Sequence, residues 1–203
     1  MRYGMVIDLK RCIGCHACQI ACKAENGTRP GTLWARVHKQ ELGTFPSVRR
    51  FSLPLLCMHC RLASCVEVCP TGASQKRADG IVTVDPDKCV GCRYCLMVCP
   101  YGSRYYQGEE WTYFPGNGTN PYEAMAYAKH PTGIVEKCDF CLSRVERGLQ
   151  PACVAACPTK ARTFGDLHDR ESEASRLIDE RGAFRLREEV GTCPSVFYLP
   201  PWG

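Results

Sequence analysis

Seventeen cysteines in 203 residues are the chemical signature of this chain, and all but one fall into four short quartets. Quartet one is Cys12, Cys15, Cys18 and Cys22; quartet two is Cys57, Cys60, Cys65 and Cys69. Quartet three is Cys89, Cys92, Cys95 and Cys99; quartet four is Cys138, Cys141, Cys153 and Cys157. Several thiolates in one short segment need a shared positive centre, either zinc or an iron–sulfur cluster. Zinc sites usually pair two C-x2-C knuckles across a longer loop. The spacing C-x2-C-x2-C-x3-C of quartets one and three does something else. Three thiolates wrap one cubane, and the fourth projects onward to ligate a neighbouring cluster. Quartet two, CMHCRLASCVEVCP, is a mild expansion of that pattern. Quartet four, CDFCLSRVERGLQPACVAACP, fits zinc equally well when taken alone and joins the others through the duplication described next.

A compact quartet followed by an expanded one, repeated, marks an internal duplication. The flanks agree: GMVIDLKRCIGC at 4–15 parallels GIVTVDPDKCVGC at 80–92. Each places a β-branched, alternating run before its first cysteine, which predicts a short strand. After the third cysteine of a quartet, stretches such as CQIACKAE and CLMVCPYG predict one or two turns of helix. Pro70, Pro100 and Pro158 directly follow a fourth cysteine and end such turns, because proline cannot continue a helix. Quartet one carries Lys23 there instead. Residues 23–56 are a linker in which WARVHKQELGTF predicts a strand pair. Residues 101–133 are an insertion rich in Tyr, Gly and Asn, either a loop or a docking surface. A helix over about 171–181, stopped by Gly182, and a strand at VFYL precede the PPWG end.

The composition excludes several classes. A disulfide framework is disfavoured by the odd cysteine count, the tight clustering and the absence of a secretory signal pattern at MRYGMVIDLKRC. No apolar run approaches the roughly 20 residues of a membrane span; FSLPLLCM at 51–58 is short and holds Pro54. The formal charge of +5 counts cysteine as neutral. Four clusters held by thiolates would bring it to about −3, so nucleic acid is not an expected partner. No Gly-rich phosphate loop, nucleophile triad or paired acid–base constellation is present, so no catalytic residue is expected.

The fourth-cysteine rule also predicts pairing. Quartets two and three are close in sequence and form one two-cluster unit, which leaves quartets one and four to pair. The expected ligand sets are Cys57, Cys60, Cys65 with Cys99; Cys89, Cys92, Cys95 with Cys69; Cys12, Cys15, Cys18 with Cys157; and Cys138, Cys141, Cys153 with Cys22.

In MVIDLKRCIGCHACQIACKAEN, CPTGAS, DKCVGC…CPYG, KCDFC…RVERGLQPACVAACPT and ARTFGDL the chain resembles a known family. It is similar to the four-cluster electron-transfer subunits of dimethyl-sulfoxide-reductase-type molybdopterin oxidoreductases, most of all those of polysulfide, thiosulfate and arsenate reductases. The resemblance implies an α+β fold of two ferredoxin-like lobes with the same cross-ligation, one from residues 1–50 with 125–168 and one from 51–124, followed by a C-terminal helix and docking tail at 169–203. It implies four [4Fe–4S] clusters, since Cys92, which some relatives lack, is present. It also implies a large molybdenum or tungsten bis-pterin catalytic subunit at one end of the relay and a quinone-reactive membrane anchor, or a soluble donor, at the other. Export of the folded protein with a catalytic subunit would place it outside the cytoplasmic membrane; a cytoplasmic site stays open. A free-standing polyferredoxin is the alternative of another class, and a zinc-stabilised binding module a third.

Further positions matter outside the ligand sets. His16 and His59, beside ligands, are expected as surface or supporting side chains. Arg11, Lys88 and Lys137 each precede the first cysteine of a quartet, where a cation would raise a cluster's potential by favouring the more negative reduced state. Cys193 is expected as a buried free thiol.

Overall fold

The computed structural model describes residues 1–202. Short strands and short helices alternate between the cysteines. The strand β1 (Tyr3–Asp8) leads into quartet one, and α1 (Ala17–Asn26) carries Cys18 and Cys22. Next come β2 (Arg36–Leu42), β3 (Arg49–Leu55), α2 (Ser64–Glu67), β4 (Ser74–Lys76), β5 (Val82–Val84), α3 (Tyr94–Met97) and β6 (Tyr105–Gln107). The remainder is α4 (Pro121–Tyr127), β7 (Ile134–Glu136), α5 (Leu142–Val145), α6 (Ala152–Ala155), β8 (Arg162–Asp166), α7 (Glu173–Glu180), a 3-10 turn at Glu188–Val190 and β9 (Val196–Leu199).

Prolines set the helix lengths. α2, α3 and α6 are four residues each and stop three residues short of Pro70, Pro100 and Pro158, whose rings have no N–H to donate. At Lys23 nothing interrupts, so α1 runs ten residues and closes on Gly27, which sits at φ 64° with its N–H on Lys23 O. Left-handed φ of this kind suits glycine.

Strand pairing follows one rule. A strand leaving a fourth cysteine lies antiparallel to one entering a first: β8 after Cys157 with β1 before Cys12, β4 after Cys69 with β5 before Cys89, and β6 after Cys99 with β7 before Cys138. β9 adds to β1 in parallel, with Met5 opposite Val196. The two-residue alternation of these strands divides the interior. Met5, Ile7, Val196 and Tyr198 face the main core, which also holds Leu56, Met58, Ile81 and Phe140. Val6, Phe197 and Leu199 face the other way, onto Leu177 and Ile178 of α7.

Two expectations need correction. The run WARVHKQELGTF supplies one strand, not two: β2 pairs with β3, beyond the run, with Arg36 opposite Leu55. The stretch 101–133 is not merely a loop, because it contains α4. There Asn120 accepts from Glu123 N and Glu123 accepts from Asn120 N, a capping box with proline in the first turn. Among the described residues no helix is long and apolar enough to cross a membrane.

Candidate metal centres

Each quartet begins with the same backbone device. The residue before the second cysteine has left-handed φ: Gly14 at 66°, His59 at 42°, Gly91 at 66° and Phe140 at 59°. That turn lets the chain curl so that neighbouring thiols face inward. In quartets one, two and three the helix that follows carries the third cysteine, whereas in quartet four Cys153 sits on α6, beyond α5.

Two cavities show where the fourth cysteines go. One is lined by Cys57, Cys60 and Cys65 together with Cys99. The other is lined by Cys12, Cys15 and Cys18 together with Cys157. A third group gathers Cys22 with the fourth quartet: Asn26 Nδ2 reaches Cys22 Sγ at 3.5 Å and Cys141 Sγ at 3.8 Å. Burial pushes the Cys22 thiol up to about 12, and the neighbouring thiols of Cys153 and Cys141 add to it. Burial also raises Cys95, beside Cys89 and Cys92. Cys69 reaches that neighbourhood through β4, whose pairing with β5 lays Ala73 against Asp85, four residues before Cys89.

The donor set fits iron–sulfur clusters better than single ions. Among the described residues no three Cys, His, Asp or Glu side chains converge on a point fit for one metal ion; eight of the thiols instead rim two cavities, as a cubane with an iron at each corner requires. Protons are hard to remove here without a cation, since burial pushes Cys60 up to about 12 and Cys141 to about 11. Metal coordination supplies the missing positive charge and deprotonates a thiol outright. N–H groups already point at several sulfurs: Ser74 N to Cys69 at 3.3 Å, Ala161 N to Cys157 at 3.2 Å, Phe140 N to Cys138 at 3.4 Å and Val135 N to Cys89 at 3.5 Å. Among the described residues, four buried side-chain atoms lack any partner, and all are nitrogens that can donate: Trp34 Nε1, His59 Nε2, Arg104 Nη2 and Arg162 Nη2. Both arginines line the cavities just named. A cluster bound in either cavity would offer sulfur acceptors to these two guanidinium groups.

The centres form a chain. Burial raises Cys138, and the thiols of Cys22 and Cys57 raise it further, so quartets four and two adjoin. Cys153 is close enough to Cys18 to feel its charge after burial and Arg162 have acted, so quartets four and one adjoin as well. The ends of this chain reach solvent: Cys15 and Cys92 are exposed, whereas Cys57 and Cys138 are buried.

His59 is not a surface residue. It is fully buried, accepts from Val82 N at Nδ1 (3.0 Å) and stacks on Phe140 with ring centroids 3.7 Å apart. Burial, then Lys137 and Arg104, hold its pKa well below the usual value, so it is neutral, with its proton on Nε2. His16, by contrast, is half-exposed and lies 3.3 Å from Gln19 Oε1. Of the three flanking cations only Lys137 is buried, donating to Val82 O and Cys138 O. Lys88 and Arg11 sit at the surface beside Asp85 (3.1 Å) and Asp8 (3.9 Å). Cys193 is half-buried rather than buried, with Arg61 Nη2 3.8 Å from its sulfur. Sequence spacing singled out neither Arg104 nor Arg162 nor Asn26; the shared offset of the two arginines from Cys99 and Cys157 was the available signal.

A family model described as a 4Fe–4S dicluster domain matches residues 48–114 and 115–167, and one for a 4Fe–4S binding domain matches residues 3–24. Over 97% of its length the chain is 44% identical to a Halobacterium salinarum protein assigned as an iron–sulfur subunit of dimethyl sulfoxide reductase, of which it covers 78%. It is 40% identical, over its full length and 98% of the relative, to the arsenate respiratory reductase iron–sulfur subunit of Shewanella sp. strain ANA-3. With a subunit of the sulfite dehydrogenase of Allochromatium vinosum it shares 41% identity over 97% of the chain and 82% of that protein.

Proposed function

Since the chain belongs to the family of iron–sulfur subunits of dimethyl-sulfoxide-reductase-type oxidoreductases, an electron-transfer subunit carrying [4Fe–4S] clusters, we propose how it conducts. Two ferredoxin-like lobes hold two clusters each. One lobe uses Cys57, Cys60, Cys65 with Cys99 and Cys89, Cys92, Cys95 with Cys69. The other uses Cys12, Cys15, Cys18 with Cys157 and Cys138, Cys141, Cys153 with Cys22. The cavity that Cys99 shares with Cys57, Cys60 and Cys65 carries this reading. Support also comes from the dicluster match that spans quartets two and three together.

Electrons would travel from the cluster at Cys92 through those of quartets two and four to the cluster at Cys15, or the reverse. The clusters supply the redox chemistry. The chain fixes their spacing, excludes water from the inner pair and sets potentials through N–H···S contacts and fixed charge. One solvent-near end would meet a molybdopterin catalytic subunit, and the other a quinone-reactive membrane anchor or a soluble donor. Export with the catalytic subunit would put the complex outside the cytoplasmic membrane, which fractionation of cells would check.

Cys99→Ser tests the ligand sets. An alkoxide binds iron more weakly than a thiolate, so the cluster on Cys57, Cys60 and Cys65 should lose iron or shift in potential while that on Cys89, Cys92 and Cys95 keeps its spectrum. Damage confined to the latter cluster would sink the interleaved arrangement. Copurification of a molybdenum-containing subunit at low salt tests the partner; a monomer with no molybdenum in its fraction returns the free polyferredoxin.

A further inference from the structure

Arg104 and Arg162 share one offset from a fourth cysteine, one in quartet three and one in quartet four. Each stands five residues after a fourth cysteine, in CPYGSR and in CPTKAR, and each is buried, 6% and 4% exposed. A buried guanidinium needs a counter-charge, yet among the described residues neither pairs with a carboxylate. What surrounds them is sulfur. Arg104 lines the cavity of Cys57, Cys60, Cys65 and Cys99. Its Nη1 lies 2.7 Å from Ser74 Oγ, and Ser74 N donates to Cys69, a thiol of the other cluster of that lobe. Arg162 lines the cavity of Cys12, Cys15, Cys18 and Cys157 while its Nη1 lies 3.8 Å from Cys153 Sγ, again a thiol of the other cluster. In both residues Nη2 is buried without a partner. The charges they face repeat the pattern. For Arg104, Cys65 and Cys95 offset the penalty of burial; for Arg162, Cys153 and Cys18 do.

We propose that Arg104 and Arg162 are shared counter-cations, one between the two clusters of each lobe, each raising the potential of both neighbours and donating through Nη2 to a cluster sulfur. The inference rests on the interleaved cysteine sets above. A cluster of four thiolates is negative and becomes more so on reduction, and its neighbour is negative as well. One cation between them favours the reduced form of each and weakens their mutual repulsion. Arginine suits the place because its charge is permanent and its planar fork can address two partners.

Arg104→Gln and Arg162→Gln in the cluster-loaded protein, titrated by EPR with iron and labile sulfide counted, test this. With about 16 iron retained, Arg104→Gln should lower both clusters of its own lobe. The reduced-to-oxidised ratio at a given poise should fall at least tenfold, about 59 mV for one electron. The clusters of the other lobe should hold. Arg162→Gln should give the mirror result, and the Lys variants should restore most of each loss. A shift in a single cluster, an equal shift in all four, or no shift would overturn the proposal. If a Gln variant cannot hold iron, its Lys counterpart decides: full iron with near-native potentials supports the shared charge, and iron loss despite the charge overturns it. The Cys99→Ser spectra report the ligand sets separately, so a normal result there with unmoved potentials here removes only the arginine proposal.

Discussion

The inner and outer quartets solve one backbone problem in two ways. All four need a left-handed residue before the second cysteine. At the outer ends that residue is glycine, and the freed space admits a close neighbour: a Cβ on Gly91 would collide with Gly133 O, and one on Gly14 with Ser52 Oγ. At the centre it is His59 and Phe140, whose rings stack on each other. An L-residue in that region costs roughly 1–2 kcal/mol, which a buried aromatic pair offsets through area and ring contact. The same turn thus serves as a close-packed clasp at the ends and as the joint between quartets two and four in the middle. The two solutions differ in burial: His59 and Phe140 are buried at the joint, while the ends keep Cys15 and Cys92 exposed.

Breaking the joint should have the largest effect. Phe140→Ala empties the space against His59 and Phe164 and should cost about 3–5 kcal/mol, read by denaturant unfolding of the cluster-loaded protein. A loss below about 1 kcal/mol would mean that the stack is not what joins the inner quartets. Gly91→Ala comes next. Its φ of 66° alone implies strain of about 1–3 kcal/mol, and the clash with Gly133 O adds to it. The damage should stay at the outer end, as iron lost from the Cys89, Cys92 and Cys95 cluster with the inner spectra unchanged. Equal loss at all sites would erase the distinction between clasp and joint.

The ends were more legible in the sequence than the middle. Cysteine spacing alone predicts that Cys99 leaves its own triplet, and the prolines mark where α2, α3 and α6 stop. Lys23 in place of proline predicted nothing by itself, because what it permits is tertiary. The longer α1 delivers Asn26 to the sulfurs of Cys22 and Cys141, and Lys23 Nζ ties down the carbonyls of Thr28, Arg29 and Thr32. His59 and Phe140 were illegible for a similar reason: they lie far apart in sequence, and no local periodicity reports a ring contact between two metal turns. α4 was missed although Asn120, Pro121 and Glu123 spell a capping box, since turn-rich flanks drowned a seven-residue helix.

A pH-dependent term should sit between joint and end. His130 Nδ1 lies 2.7 Å from Glu136 Oε1, and Nε2 lies 2.6 Å from Asn26 O. Both partners are acceptors, so both ring nitrogens must carry protons. Burial works to lower the pKa, but the Glu136 carboxylate outweighs it and holds His130 above the usual 6.5. The stabilisation is therefore complete below about pH 6.5 and fades as pH rises through the raised folded value. Native stability should decline over that window, and His130→Gln should flatten the decline by about 1 kcal/mol or less. An unchanged slope would show that the imidazolium does not hold Asn26 in place.

The smallest effect is the sharpest test of what burial contributes. Arg11, Lys88 and Lys137 occupy equivalent sequence positions, each one residue before a first cysteine. Lys137 is 3% exposed and inside the joint, whereas the Lys88 side chain is 55% exposed and paired with Asp85 at the outer end. A charge in water is screened within about 8–10 Å at ordinary salt, and one shielded by protein is not. Lys137→Gln should therefore lower the potential of an inner cluster, since a nearby cation favours the reduced state. Lys88→Gln should leave every potential within error and cost under about 0.5 kcal/mol of stability. Titrating both variants at low and high salt separates the two cases. The Lys137 shift should persist at high salt, and any small Lys88 shift should vanish. If Lys88→Gln moved the outer cluster as far as Lys137→Gln moves the inner one, position in the sequence rather than burial would set the potential, and the contrast between end and joint would fail.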